Sequence, residues 1–161
     1  MKSRPGLFLA IALVTTAVVM AAWVFMALTG GRGPGVPAGQ TKTSGGVAWH
    51  LDWIELFDPD DPMFKESYFD VIDGAAYVVA QFTFEASEEV TICFAQIVGA
   101  GRQWTVHGVK PVSEATDRWC EPRTSGTIRV VAIVPPSAVA EIKGIDIYFG
   151  DRLVRLLGRV R

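Results

Sequence analysis

Few side chains in this sequence have the chemistry of a site. There are 2 histidines, His50 and His107, and 2 cysteines, Cys93 and Cys120. A nucleophilic triad needs a hydroxyl or thiol within hydrogen-bond reach of a histidine that a third group orients. No G-x-S-x-G elbow occurs, and Ser125-Gly126 sits in a polar stretch with no further signature. The expectation is therefore a non-enzyme with no catalytic residues and no cofactor. His50, His107 and Met63 are donor types that suit copper, but their spacing matches no ligand signature. Asp58, Asp60 and Asp61 offer the oxygen ligands that calcium takes, without the EF-hand order or its terminal Glu. Flanked by Pro59 and Pro62, they read first as turn residues and stay weak metal candidates.

The two cysteines lack C-x-x-C spacing and a neighbouring histidine, which argues against a redox or metal pair. In an oxidising compartment an even pair in a small domain forms a disulfide, here Cys93–Cys120. Free thiols are the rival. Four aromatics, Phe57, Phe64, Tyr68 and Phe69, fall between positions 57 and 74. That is too many for a solvated loop. They either fold back on the core or form an exposed interaction patch. Trp49, Trp53 and Trp104 lie on apolar faces and read as core, one of them against the disulfide in the manner of immunoglobulin domains, with a sugar-stacking platform as the alternative. Arg152, Arg155, Arg159 and Arg161 form a basic tail. It is either a solvated edge or a contact for anionic head groups or wall polymers.

The elements that would position these residues are short strands. Val47–Leu56 alternates, with Val47, Trp49, Leu51 and Trp53 on one face and Ala48, His50 and Asp52 on the other. Residues 57–74 form a long acidic loop. A second strand runs from Ala75 to Ala86, and Ser87-Glu88-Glu89 makes a turn. The third, Val90–Val98, is apolar on both faces, as expected of a central, doubly covered strand. Gly99-Ala100-Gly101 signals a hairpin into Arg102–Val109. Lys110–Ser125 is polar and irregular. Thr127–Val134 ends at Pro135-Pro136, since proline cannot donate to a ladder. Ser137 can cap a short helical turn through Ile142. Gly144–Phe149 and Arg152–Leu157 flank a two-residue loop. About seven strands with almost no helix predict an all-β antiparallel sandwich of immunoglobulin-like type, with a small closed barrel as the alternative.

Residues 7–28 are an uncharged apolar run of roughly 30 Å at the helical rise, the thickness of a bilayer's hydrocarbon core. Lys2 and Arg4 precede it, and a single Arg32 follows, which places the amino terminus in the cytoplasm. The expected plan is a cytoplasmic 1–6, a transmembrane helix 7–28, a flexible Gly/Pro-rich linker 29–46 and an extracytoplasmic domain 47–161. A cleaved secretory signal is the rival, but the run is long for an h-region and Ala27-Leu28-Thr29 is a poor cleavage site. Four of the 15 basic residues (Lys2, Arg4, Arg32 and Lys42) and none of the 17 acidic ones precede Val47, which leaves a net charge of −6 beyond it. An acidic domain is not a nucleic-acid binder. The expected partners are the lipid bilayer, through residues 7–28, and an envelope protein or cell-wall component.

Five stretches carry a resemblance. They are Ala76-Tyr77-Val78-Val79, Cys93, Gly101-Arg102-Gln103-Trp104, Cys120 and Val134-Pro135-Pro136-Ser137. In these, between about Val47 and Leu157, the chain resembles immunoglobulin-like (telokin-like) extracytoplasmic domains of single-pass membrane proteins from high-GC Gram-positive bacteria. The absence of asparagine and the excess of Arg over Lys suit such a genome. The resemblance implies the fold, an envelope location and the cysteine bridge, and it brings no catalytic residues. The acidic insertion at 57–74 departs from its pattern. The function expected is a membrane-anchored binding or assembly module. A calcium- or copper-binding envelope domain is the alternative.

Overall fold

The computed structural model describes residues 14–21, 35–64, 71–109 and 118–161. Residues 14–21 are helical and fall inside the expected span. The rest of 7–28, the expected cytoplasmic 1–6, positions 29–34, Tyr68 and Phe69 lie outside the described residues. Among the described residues no helix is long and apolar enough to cross a membrane. A separate compact unit runs from Gly33 to Arg161.

That unit is built from ten strands: β1 (Val36–Pro37), β2 (Thr41–Ser44), β3 (Val47–Phe57), β4 (Ala76–Val90), β5 (Phe94–Gly99), β6 (Arg102–Thr105), β7 (His107–Gly108), β8 (Arg123–Val134), β9 (Ile142–Phe149) and β10 (Arg152–Leu157). They form two five-stranded sheets, one in the order β1-β10-β9-β5-β6 and one in the order β2-β3-β4-β8-β7. Every pairing is antiparallel except β1 with β10. Alternation along the strands sends one set of side chains inward. Trp49, Leu51 and Ile54 of β3 and Val78, Ala80 and Phe82 of β4 join Ile97, Ile145, Ile147 and Leu156 of the other sheet in one buried cluster. Trp49 is its centre, with ring centroids 4.9 Å from Phe149, 5.7 Å from Phe84 and 6.4 Å from Phe82.

Several expectations are corrected. Residues 36–37 and 41–44 of the expected linker are strands, and Gly45 and Gly46 turn β2 into β3 with φ of +61° and +79°. Two residues at positive φ make the hairpin turn whose twist matches its strands. Ser87-Glu88-Glu89 is not a turn: β4 continues through it to Val90, with a register irregularity after Glu85. The doubly covered stretch is not 90–98 but the start of β4, where Ala76–Ala80 are all buried; Phe94 of β5 is 44% exposed. The expected strand 102–109 divides: β6 stays beside β5, the chain crosses at buried Val106, and β7 joins the other sheet. β8 begins at Arg123, inside the stretch expected to be irregular. The 3-10 helix Pro136–Glu141 starts from Pro135 without a side-chain cap, so Ser137 does not serve as one. Pro136 at its first position has the φ that such a start needs.

Asp146 is fully buried, although it lies on the outer side of its sheet. Arg155, opposite it on β10, donates from Nε and Nη2 to its two carboxylate oxygens at 2.6 Å each. This bidentate fork is the geometry in which Arg and carboxylate bind best. The hydrogen bonds to Asp146 hold the Arg155 guanidinium above the usual arginine range, against the desolvation that pulls the other way. A raised basic group stabilises fully below its unfolded pKa, so the arginine side of this pair gives no stability change across physiological pH. Tyr148 completes the patch, donating to Gln96 Oε1 at 3.2 Å and packing tilted against Phe94, with ring centroids 4.9 Å apart.

Cys93 and Cys120 are disulfide-bonded, with 4.4 Å between their Cα atoms. Both cysteines are exposed, and the aromatic partners of buried Trp49 are phenylalanines. The bridge ties the β4–β5 connection to the residues leading into β8. Cys120 N–H also donates to Ile92 C=O at 3.2 Å. Replacing both cysteines by alanine should lower the unfolding free energy by about 3.5 kcal/mol for a closed loop of this length, measured by urea titration. Arg155→Met, which strands a buried carboxylate, should cost about 3–5 kcal/mol in the same titration, and adding Asp146→Leu should recover most of that loss.

Candidate functional site

The face of the β2-β3-β4-β8-β7 sheet that points away from the main core divides into an apolar and a polar half. The division follows from register. Phe57, Tyr77 and Ile133 share one row, Glu55, Val79 and Val131 the next, then Trp53, Gln81 and Arg129, and finally His50, Thr83 and Thr127. β3 has a bulge between Leu51 and Trp53. The extra residue, Asp52, shifts the alternation by one, so Trp53 leaves the face it would share with Trp49 and turns outward. This corrects the expectation of three core tryptophans. Trp53 packs with Phe57 at 6.0 Å in a second cluster, and Trp104 is half-buried against the first.

The apolar half is roofed by the insertion. Asp58 and Asp61 shape its entry: Asp60 N–H donates to Asp58 Oδ1 and Met63 N–H to Asp61 Oδ1, each at 2.9 Å. These are Asx-type turns, the ordinary use of such aspartates. They lead into the 3-10 turn Pro62–Phe64, which drops Met63 and Phe64 onto Tyr77, Val79, Val109 and Val131. Phe64 is 4% exposed, with its ring 5.3 Å from Tyr77. The Tyr77 hydroxyl accepts from Ile72 N–H and so ties down the far end of the insertion. Of the four aromatics expected as one patch, Phe64 is therefore core and Phe57 is half-buried; Tyr68 and Phe69 lie outside the described residues. Among the described residues, the large apolar side chains exposed around the insertion are aliphatic: Leu56 at 52%, Val71 at 50% and Ile72 at 53%.

The polar half is a connected cross-strand network. Gln81 Nε2 and Thr83 Oγ1 both donate to Asp52 Oδ2 at 3.1 Å. The Thr83 and Thr127 hydroxyls are 3.2 Å apart, and Arg129 Nη2 donates to Gln81 Oε1 at 2.8 Å. Arg129 also lies over the Trp53 ring, 5.1 Å from its centroid, a cation–π geometry. Burial holds its guanidinium below the usual arginine range, opposed by the Asp61 and Glu55 carboxylates. His50 Nε2 is 3.7 Å from Asp52 Oδ1, beyond hydrogen-bond reach. Asp52 therefore orients hydroxyl and amide groups rather than a histidine.

The two histidines do not converge. His50 is on β3 and His107 on β7, with β4 and β8 between them. At the usual strand spacing that is roughly 14 Å. Met63 is buried under the insertion. Among the described residues no group of three or more His, Cys, Asp or Glu side chains is placed to hold a metal ion. Sequence reasoning missed the Asp52 network, because a bulge leaves no mark in an alternating pattern that continues on both sides of it.

Asp52→Ala removes the β3 acceptor that two donors of β4, Gln81 and Thr83, share. It should cost about 1–3 kcal/mol in thermal or urea unfolding, and Asp52→Asn less than half of that. Compared with protein families, curated proteins and solved structures, the chain matches no family model, no curated protein and no solved structure.

Proposed function

We propose that this chain is a membrane-anchored extracytoplasmic binding or assembly module without intrinsic catalysis, whose β unit is an immunoglobulin-like sandwich. The anchor reading rests on the uncharged apolar run at 7–28 and the basic residues before it. The extracytoplasmic reading rests on that orientation and is supported by the Cys93–Cys120 disulfide, a bond that persists in oxidising compartments. The sandwich reading is supported by the two mainly antiparallel sheets and the single cluster between them.

One observation carries the binding reading. Leu56, Val71 and Ile72 are large aliphatic side chains about half exposed, at or beside the two ends of an insertion whose Met63 and Phe64 are packed on the sheet. Loops held on a rigid body are where recognition sits, and exposed aliphatics beside them are the means of contact. The polar groups on the same sheet are engaged with one another, which suits a surface for docking more than one for chemistry. The partner that fits is an envelope protein or wall component with a complementary apolar surface.

Crosslinking in native membranes tests this. The chain should stay in the pellet after alkaline carbonate extraction, and its C-terminal unit should be cut by protease added to stripped cells. Leu56→Ser with Ile72→Ser should remove the main crosslinked neighbour and shift the melting temperature by only a few degrees. An unchanged crosslinking pattern in that variant would sink the docking reading.

A further inference from the structure

Away from the insertion, a groove of about 650 Å³ opens where β1, the start of β9 and the end of β10 meet. Ala38, Ala140, Ile142 and Leu157 form its apolar lining, and Lys143 and Arg159 are its charged members. No acidic side chain is among its lining residues. Gly158 N–H donates to Lys143 C=O at 2.9 Å, so the backbone holds the two cations on neighbouring segments. Both are exposed, and neither makes an ion pair among the described residues. This separates them from Arg155 and Arg123, whose charges meet Asp146 and Glu121.

We propose that this groove binds the anionic head group of a membrane lipid, with the adjoining acyl chain on its apolar lining. Two cations without acids among the lining favour an anion there, even in a unit of net charge −5. A free inorganic anion would leave the apolar lining wet, whereas an amphiphilic anion fills both halves. Place supplies the rest, and here the inference rests on the anchor reading. The groove is lined partly by residues just after β1, and positions 29–35 between the expected span and β1 reach at most about 25 Å when extended. On the anchor reading that tether limits how far β1 can stand from a bilayer, whose anionic lipids attract basic groups.

The full chain held in amphipol should be titrated with dihexanoyl phosphatidylglycerol, dihexanoyl phosphatidylcholine and inorganic phosphate. Binding is followed through the amide resonances of Ala38, Lys143 and Gly158. Phosphatidylglycerol should shift them saturably, with an affinity about tenfold or more above that of either other probe. Lys143→Glu with Arg159→Glu should remove the difference between the two lipids. Ala140→Trp, which fills the groove from an exposed position without changing charge, should weaken phosphatidylglycerol on its own. Equal affinity for both lipids, phosphate binding as well as phosphatidylglycerol, or full binding by either variant would overturn the proposal. Carbonate extraction is read separately: a chain released by carbonate but binding phosphatidylglycerol has lost the anchor and kept the groove, and the reverse result does the opposite.

Discussion

Five consecutive residues, Ala76–Ala80, are buried whichever face of their sheet they point to. A strand in that position needs a layer on each side. The β1-β10-β9-β5-β6 sheet is one layer, reached by Ala76, Val78 and Ala80. The insertion is the other, with Met63 and Phe64 over Tyr77 and Val79. Without that roof Tyr77, Val79 and Val131 would face water, and side chains of this size are worth about 1.5–3 kcal/mol each on burial. The insertion is therefore part of the fold before it is part of any interface. Among the described residues around it, Leu56, Val71 and Ile72 are the large apolar side chains left exposed for contact.

The same economy governs the acidic residues. Asp52 and Asp146 both sit on outward sheet faces, and both are held by groups from adjacent strands. Each fixes register as much as it adds stability: a slip of one residue would move the partners to the opposite face and leave the carboxylate alone. For Asp146, fully buried, that error would be costly, and a single arginine on β10 prevents it. These carboxylates act on topology, and His50 on the outer face of β3 stands 3.7 Å from Asp52 Oδ1, beyond hydrogen-bond reach.

Much of the β unit was legible in the sequence because alternation is a direct consequence of the pleat. Val47, Trp49 and Leu51 on one strand and Phe82 and Phe84 on the next announced their inward face. The cysteine pairing was legible too, since with two cysteines there is one bridge to make. What alternation does not contain is a count. The extra residue at Asp52 reversed Trp53, and the crossing at Val106 divided one apparent strand between two sheets. Nor does composition mark short strands held by their neighbours: Val36–Pro37, extended by its proline, becomes a strand because β10 offers an edge there. Gly45-Gly46 was the available clue to the hairpin, hidden in a stretch whose glycines read as slack. For the aromatic insertion the sequence offered two outcomes, and Phe64 takes the inward one through the Asx turns that lead Met63 and Phe64 onto the sheet.

The first paired residues of the unit are also its weakest attachment. β1 meets β10 over two residues, in parallel, and β2 meets β3 over four at the sheet margin, while the main core begins at Val47. Tension arriving from the amino-terminal side loads these two short ladders in sequence, before any force reaches Trp49. Peeling residues 36–46 would release about 35–40 Å of contour length at the usual extension per residue. A pull of that kind would lengthen the segment while the strands from Val47 onward keep pairings and a core of their own.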